Sequence, residues 1–229
     1  MSEPAPFTGF CPDTFLFLME LGFHNDREFF NANRARCRAV VQEPMRALAS
    51  ALSPLALEMD PAFNTRLTKA VSRMNRDTRF SKNKLPYRDH AWLCFKHTDE
   101  AVSESFGVYF EIQPGSYGYG VGMYAPVPQV MAPFRQRVLA NPAVFLALTA
   151  PVEAAGMLLE GELYKRDHFP DAPEAVKPYL NRKSIGWSFS SQAVKRTFEP
   201  ALQRDMEEAM ALMKPLYRFV MGMEKAEND

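Results

Sequence analysis

Between Phe106 and Tyr124 the chain reads FGVYFEIQPGSYGYGVGMY, a pattern that suits a β-hairpin and little else. Val108, Phe110 and Ile112 alternate with Tyr109 and Glu111, the period of a strand with one buried face. Pro114-Gly115 then supplies type II turn chemistry, with proline presetting φ at the second position and glycine accepting a positive φ at the third. On the return strand Tyr117, Tyr119, Val121 and Met123 share one face, and Gly118, Gly120 and Gly122 share the other. Glycine weakens a strand interior, so three on one face need a close neighbour, either a packed helix or a ligand.

A sheet with one apolar face must be covered by a second layer, and the rest of the chain provides for it. Further strands are expected at 69–74, 91–97, 158–164 and 184–189. Pro12 and Asp13 open a helix that Gly22 should stop. Asn25 and Glu28 have the spacing of a capping box, so the next helix should start at Asn25 and run to about Glu43. Pro44 kinks it or starts another, whose stripe is Leu48, Leu52 and Leu55, and Ser53-Pro54 and Asp60-Pro61 end the helical region. Val130 to Val138 predicts a helix ending at Asn141-Pro142, followed by a short one over 143–148. Pro200 opens a last helix with the stripe Leu202, Met206, Met210 and Met213, interrupted at Pro215. The charged tail from Glu224 should fray. With no linker or repeat, residues 1–229 read as one α+β domain, a mostly antiparallel sheet covered by N-terminal helices and a C-terminal helix.

The chemistry is densest at 73–88, RMNRDTRFSKNKLPYR, which places six cations against the single acid Asp77. The chain as a whole has 27 basic and 27 acidic residues, so this excess is local. Guanidinium groups offer a planar fork to phosphate or carboxylate, and a loop carrying several can cradle an anion. The candidate ligand-binding residues are Arg73, Arg76, Asp77, Arg79, Ser81, Lys84, Tyr87 and Arg88. Arg79 and Lys84 are expected to meet the anion, and Asp77 to hold its neighbour Arg76 in place. Phe80, Pro86 and Tyr87 require apolar partners, so the loop should pack rather than wave. The competing reading makes the same loop an ion-pair scaffold tied to distant acids such as Glu20, Glu28 or Glu111.

Other function classes find less support. Three dispersed cysteines, Cys11, Cys37 and Cys94, fit neither a disulfide framework nor a zinc site. No G-x-S-x-G, phosphate loop or H-E-x-x-H occurs, and His24, His90, His97 and His168 are scattered. His90, next to the basic loop, is the one placed for acid–base work, although a strand-start histidine is commonly structural. A pI near 6.9 is unlike that of a nucleic-acid binder. The apolar run at 15–19 is too short for a membrane span, and the N-terminus lacks a signal-peptide pattern, so a cytoplasmic location is expected. No metal or cofactor is called for. The partner expected is an anionic small molecule, and no motif names a reaction.

The run RDTRFS with KLPYR resembles the signature of an uncharacterised family, domain of unknown function 2461. NDREFFNANR at 25–34, GVYFEIQPGSYGYGVGMYAP at 107–126 and GELYKRDHFPDAP at 161–173 are similar to its other segments. The resemblance extends over about residues 9–213. It implies a bacterial or fungal cytoplasmic protein without an assigned activity. The family's first segment usually has paired asparagines and a tryptophan where this chain has His24-Asn25 and Phe29-Phe30.

Overall fold

The computed structural model describes residues 5–79, 82–97, 105–123, 126 and 128–223. Phe80, Ser81 and the tail from Glu224 lie outside the described residues, and so do the expectations placed on them. Five strands form one antiparallel sheet: β1 (Ala91–Phe95), β2 (Gly107–Gln113), β3 (Ser116–Gly122), β4 (Leu158–Glu160) and β5 (Gly186–Ser191). Their order is β1-β2-β3-β5-β4. Gly115 has φ of 80° in the tight turn between β2 and β3, as a type II turn requires.

One face of the sheet is the core. Leu93, Phe110, Tyr119 and Phe189 lie in one cross-strand row. Phe95, Val108, Val121 and Trp187 lie in the next, and all four are buried. Three helices pack on this face: α1 (Pro12–Phe23) on β2, α4 (Glu43–Met59) on β1 and α9 (Ala201–Met221) on β3. The α9 stripe Leu202, Met206, Met210 and Met213 is buried as its spacing predicts. Between α1 and α4 lie α2 (Arg27–Ala32), α3 (Arg34–Cys37) and a π-helical turn at Arg38–Gln42.

Several expected boundaries differ, for local reasons. Gly22 does not stop α1, which continues to Phe23. The cap of α2 is Asp26, whose Oδ1 accepts the Phe29 N–H at 2.8 Å, while Asn25 is used elsewhere. No single helix reaches Glu43, because Asn33 leaves helical geometry and its amide bonds back to the Phe29 carbonyl. Pro54 and Pro215 sit inside α4 and α9, which pack tightly enough on each other to tolerate a missing backbone donor. After α6 (Pro128–Ala140), α7 (Pro142–Ala154) likewise runs past its expected end, through Pro151. A short α8 (Lys177–Leu180) precedes β5.

The strand expected at 69–74 is absent. A helical turn, α5 (Leu67–Ala70), precedes a single bridge between Val71 and Leu93. There the Trp92 N–H bonds to the Ser72 hydroxyl instead of a backbone carbonyl, and the ladder does not propagate. The strand expected at 158–164 stops at Glu160, because Gly161 takes a φ of 114°.

Candidate functional site

The second face of the sheet carries most of the polar side chains of its strands. Strand register brings Trp92, Glu111, Gly118 and Ser190 into one row, and Cys94, Tyr109, Gly120 and Ser188 into the next. A third row runs Gly107, Gly122, Gly186 and Glu160, bare backbone across three strands. Trp92, Glu111, Cys94 and Tyr109 of the first two rows, and the whole third row, line a trough of about 1230 Å³, walled further by His90, Met123, Glu162, Lys183 and Ile185.

The close neighbour expected on the glycine face is a strand rather than a helix. A Cβ on Gly120 would lie 2.3 Å from the Trp187 carbonyl oxygen, and one on Gly118 would lie 2.9 Å from that of Phe189. At Gly122 the nearest atom would be the Gly186 Cα, at 2.9 Å. The close neighbour is β5 itself. The absence of side chains lets β3 and β5 crowd together on this face, and of the three glycines Gly122 also lines the trough.

Polar groups in the trough are tuned by burial. Desolvation pushes the Glu111 carboxyl above its usual range, with His90 pulling down and Asp89 pushing up. Glu111 has no hydrogen-bond or ion-pair partner among the described residues. Burial likewise raises the Tyr109 phenol, which a hydrogen bond with Ser188 partly offsets. Ser188 in turn donates to Glu160 Oε1 at 2.8 Å. The Cys94 thiol is pushed up to about 11 by burial, so it stays protonated and poorly nucleophilic near neutral pH. Lys183 is paired with Glu162 at 2.6 Å.

The basic loop touches Trp92, one of the residues that line the trough. Arg88 places its guanidinium 4.9 Å above the Trp92 ring, and His90 stacks on the same tryptophan at 5.4 Å. Arg88 also donates to the Arg73 carbonyl at 2.9 Å and to that of Asn75. Burial lowers the Arg88 pKa, and like-charge repulsion from Arg76 lowers it further. Both side chains are half-buried, and among the described residues no carboxylate is paired with either.

The remaining sequence candidates are placed differently. Asp77 holds Arg79, not Arg76: two guanidinium nitrogens reach its two oxygens at 3.0 and 2.7 Å. This pair is exposed, and Arg79 holds the Asp77 carboxyl down at about 2. Lys84 donates to the Thr78 carbonyl at 2.8 Å. Tyr87 is buried, its ring stacked on Phe30 at 4.0 Å, so it anchors the loop. Pro86 is half-buried and its carbonyl accepts the Arg76 N–H at 2.8 Å. Arg73 is exposed.

A family model described as conserved hypothetical protein (DUF2461) matches residues 13–219, nearly the whole chain. The chain is a member of the DUF2461 family. No curated protein matches it. In this DUF2461 chain the signature loop is pinned to the N-terminal segment by Asn25 and Phe30, and its Arg88 packs on Trp92 at the trough. Sequence reasoning missed Trp92, Tyr109, Glu111, Glu160 and Ser188. Their alternation with core residues was visible, but only strand register gathers them on one face with the glycines. Among the described residues no helix is long and apolar enough to cross a membrane.

Proposed function

We propose that the protein binds a small anionic ligand, bearing phosphate or carboxylate, where the basic loop meets the trough. Arg76 and Arg88 hold the anion, and the trough beyond Trp92 receives the rest of the molecule. The observation that carries this reading is two adjacent, half-buried guanidinium groups with no carboxylate paired to either among the described residues. Like charges brought together under partial desolvation cost free energy, and a bound oxyanion would offset that cost. The free cysteines Cys11, Cys37 and Cys94 fit a reducing compartment, and we place the protein in the cytoplasm.

A scaffold role is the second reading, and it is favoured for the outer part of the loop. There Arg79 binds Asp77, Lys84 binds a loop carbonyl, and Tyr87 is in the core. These residues shape the loop that presents Arg76 and Arg88.

Calorimetric titration with an alkylphosphonate tests the reading. Arg76→Gln should weaken binding at least about tenfold, since a charged hydrogen bond contributes about 1.5–3 kcal/mol and about 1.4 kcal/mol is tenfold. The unliganded variant should melt no lower than the parent, because one of two repelling charges is gone. A lowered melting temperature with unchanged phosphonate affinity would assign Arg76 to the scaffold.

A further inference from the structure

The trough and the loop have opposite electrical character. Beyond Trp92 the trough presents Glu111 and Glu160, and its Lys183 is already engaged by Glu162. Glu111 is the cross-strand partner of Trp92, the residue beneath Arg88. Glu111 and Trp92 are thus neighbours on adjacent strands, their backbones about 5 Å apart, and the tryptophan supports the Arg88 guanidinium. Glu111 is half-buried yet opens to the trough, so its lone pairs are left for a ligand donor. Tyr109, the next residue along this face of β2, supplies a ring wall, and its hydroxyl is taken up by Ser188. Gly107, Gly122 and Gly186 line the same trough with bare backbone.

Resting on the reading above, we infer that the ligand is bipolar: an anionic head on Arg76 and Arg88, and an ammonium or other cationic nitrogen donor on Glu111. A ligand with only the anion would place its neutral remainder beside a desolvated carboxylate. One with only the amine would leave the guanidinium pair unneutralised. The two ends together match both fields, and a paired charge in a half-buried site is retained where an unpaired one is costly. Glu160, at the far end of the glycine row, is a positioning partner through Ser188 rather than a direct contact.

The test uses a short series of ω-aminoalkylphosphonates, the matching alkylphosphonates and the matching alkylamines, titrated calorimetrically into the full chain at neutral pH. The best aminoalkylphosphonate should bind at least about tenfold tighter than its alkylphosphonate, the return expected from one charge-assisted hydrogen bond. Glu111→Gln, which keeps the shape of the side chain, should abolish that preference and leave alkylphosphonate binding in place. Equal binding of the two phosphonates, or a preference that survives Glu111→Gln, overturns the bipolar ligand while leaving the anion site standing. Glu111-dependent binding of the amines alone, without any gain from the phosphonate, overturns the anion site and with it the bipolar ligand. Binding of none of the three overturns both. Melting curves of Glu111→Gln and Glu111→Ala accompany the titrations, so that a folding defect in one variant leaves the other to decide.

Discussion

Asn25 pairs with Tyr87 as a neighbouring strand would. Its Nδ2 donates to the Tyr87 carbonyl at 3.1 Å, and its Oδ1 accepts the Tyr87 N–H at 2.9 Å. One side-chain amide thus satisfies both backbone groups of a residue 62 positions away, at the point where the signature loop enters the core. Asn25→Ala should cost about 2 kcal/mol, two hydrogen bonds at about 1 kcal/mol each. Asp26→Ala, which removes the helix cap, should cost about 1 kcal/mol. Urea denaturation of both variants checks the order. A larger loss at Asp26 would return the anchoring role to the cap.

Asp60 gathers a second long-range contact set. Its carboxylate is buried and accepts from the Tyr217 hydroxyl at 2.5 Å, the His97 ring at 2.7 Å and the Ala62 N–H at 2.8 Å. Burial alone would raise this carboxyl, but the three hydrogen bonds outweigh it and hold the group below the ordinary carboxylate range. The folded pKa is therefore below the unfolded value of about 3.9. The resulting stabilisation is complete above that value and is lost as pH falls through the folded pKa. Asp60→Ala should cost about 1.5–3 kcal/mol or more at neutral pH, because hydrogen bonds to a buried, charged acceptor are lost. It should also flatten the acid limb of a stability–pH curve, so an equally steep limb in the variant would assign acid lability to other carboxylates.

How far the sequence could be read follows from these contacts. The hairpin at 107–122 was legible because its turn and alternation are local, and the α9 stripe because helical periodicity is local. The cap was misplaced by one residue because Asn25 and Asp26 are both competent caps, and only the distant Tyr87 backbone removes Asn25 from the competition. The strand expected at 69–74 failed because a serine hydroxyl took the place of a backbone acceptor. At the site, the position of the basic loop was visible, but its internal pairing was not. Sequence adjacency favoured Arg76 for Asp77, whereas the turn of the loop brings Arg79 back onto both carboxylate oxygens and the Asp77 side chain also accepts the Arg79 N–H. The trough depends on register between strands distant in sequence, which no single segment encodes.

The glycine face makes a prediction of its own. A methyl group on Gly120 would meet the Trp187 carbonyl oxygen at 2.3 Å, and backbone cannot swing aside as a side-chain tip can. Gly120→Ala should destabilise the fold by about 1–3 kcal/mol, the usual cost of overpacking. Ser190→Ala, exposed on the same face, should stay within about 0.5 kcal/mol of the parent. Equal stability of the two variants in urea would mean that β3 and β5 are not crowded, and that Gly120 is there for another reason.

The central claim is that Arg76 and Arg88 form an anion site at the mouth of the trough, and crystals soaked in tungstate test it most directly. Tungstate is a tetrahedral oxyanion with a strong anomalous signal, and guanidinium forks bind such groups through paired hydrogen bonds. The account predicts an anomalous peak within hydrogen-bond reach of both guanidinium groups, beside Trp92, that disappears in Arg76→Gln crystals. A peak confined to Arg79 and Lys84, or none at Arg76 and Arg88 under saturating tungstate, would contradict it.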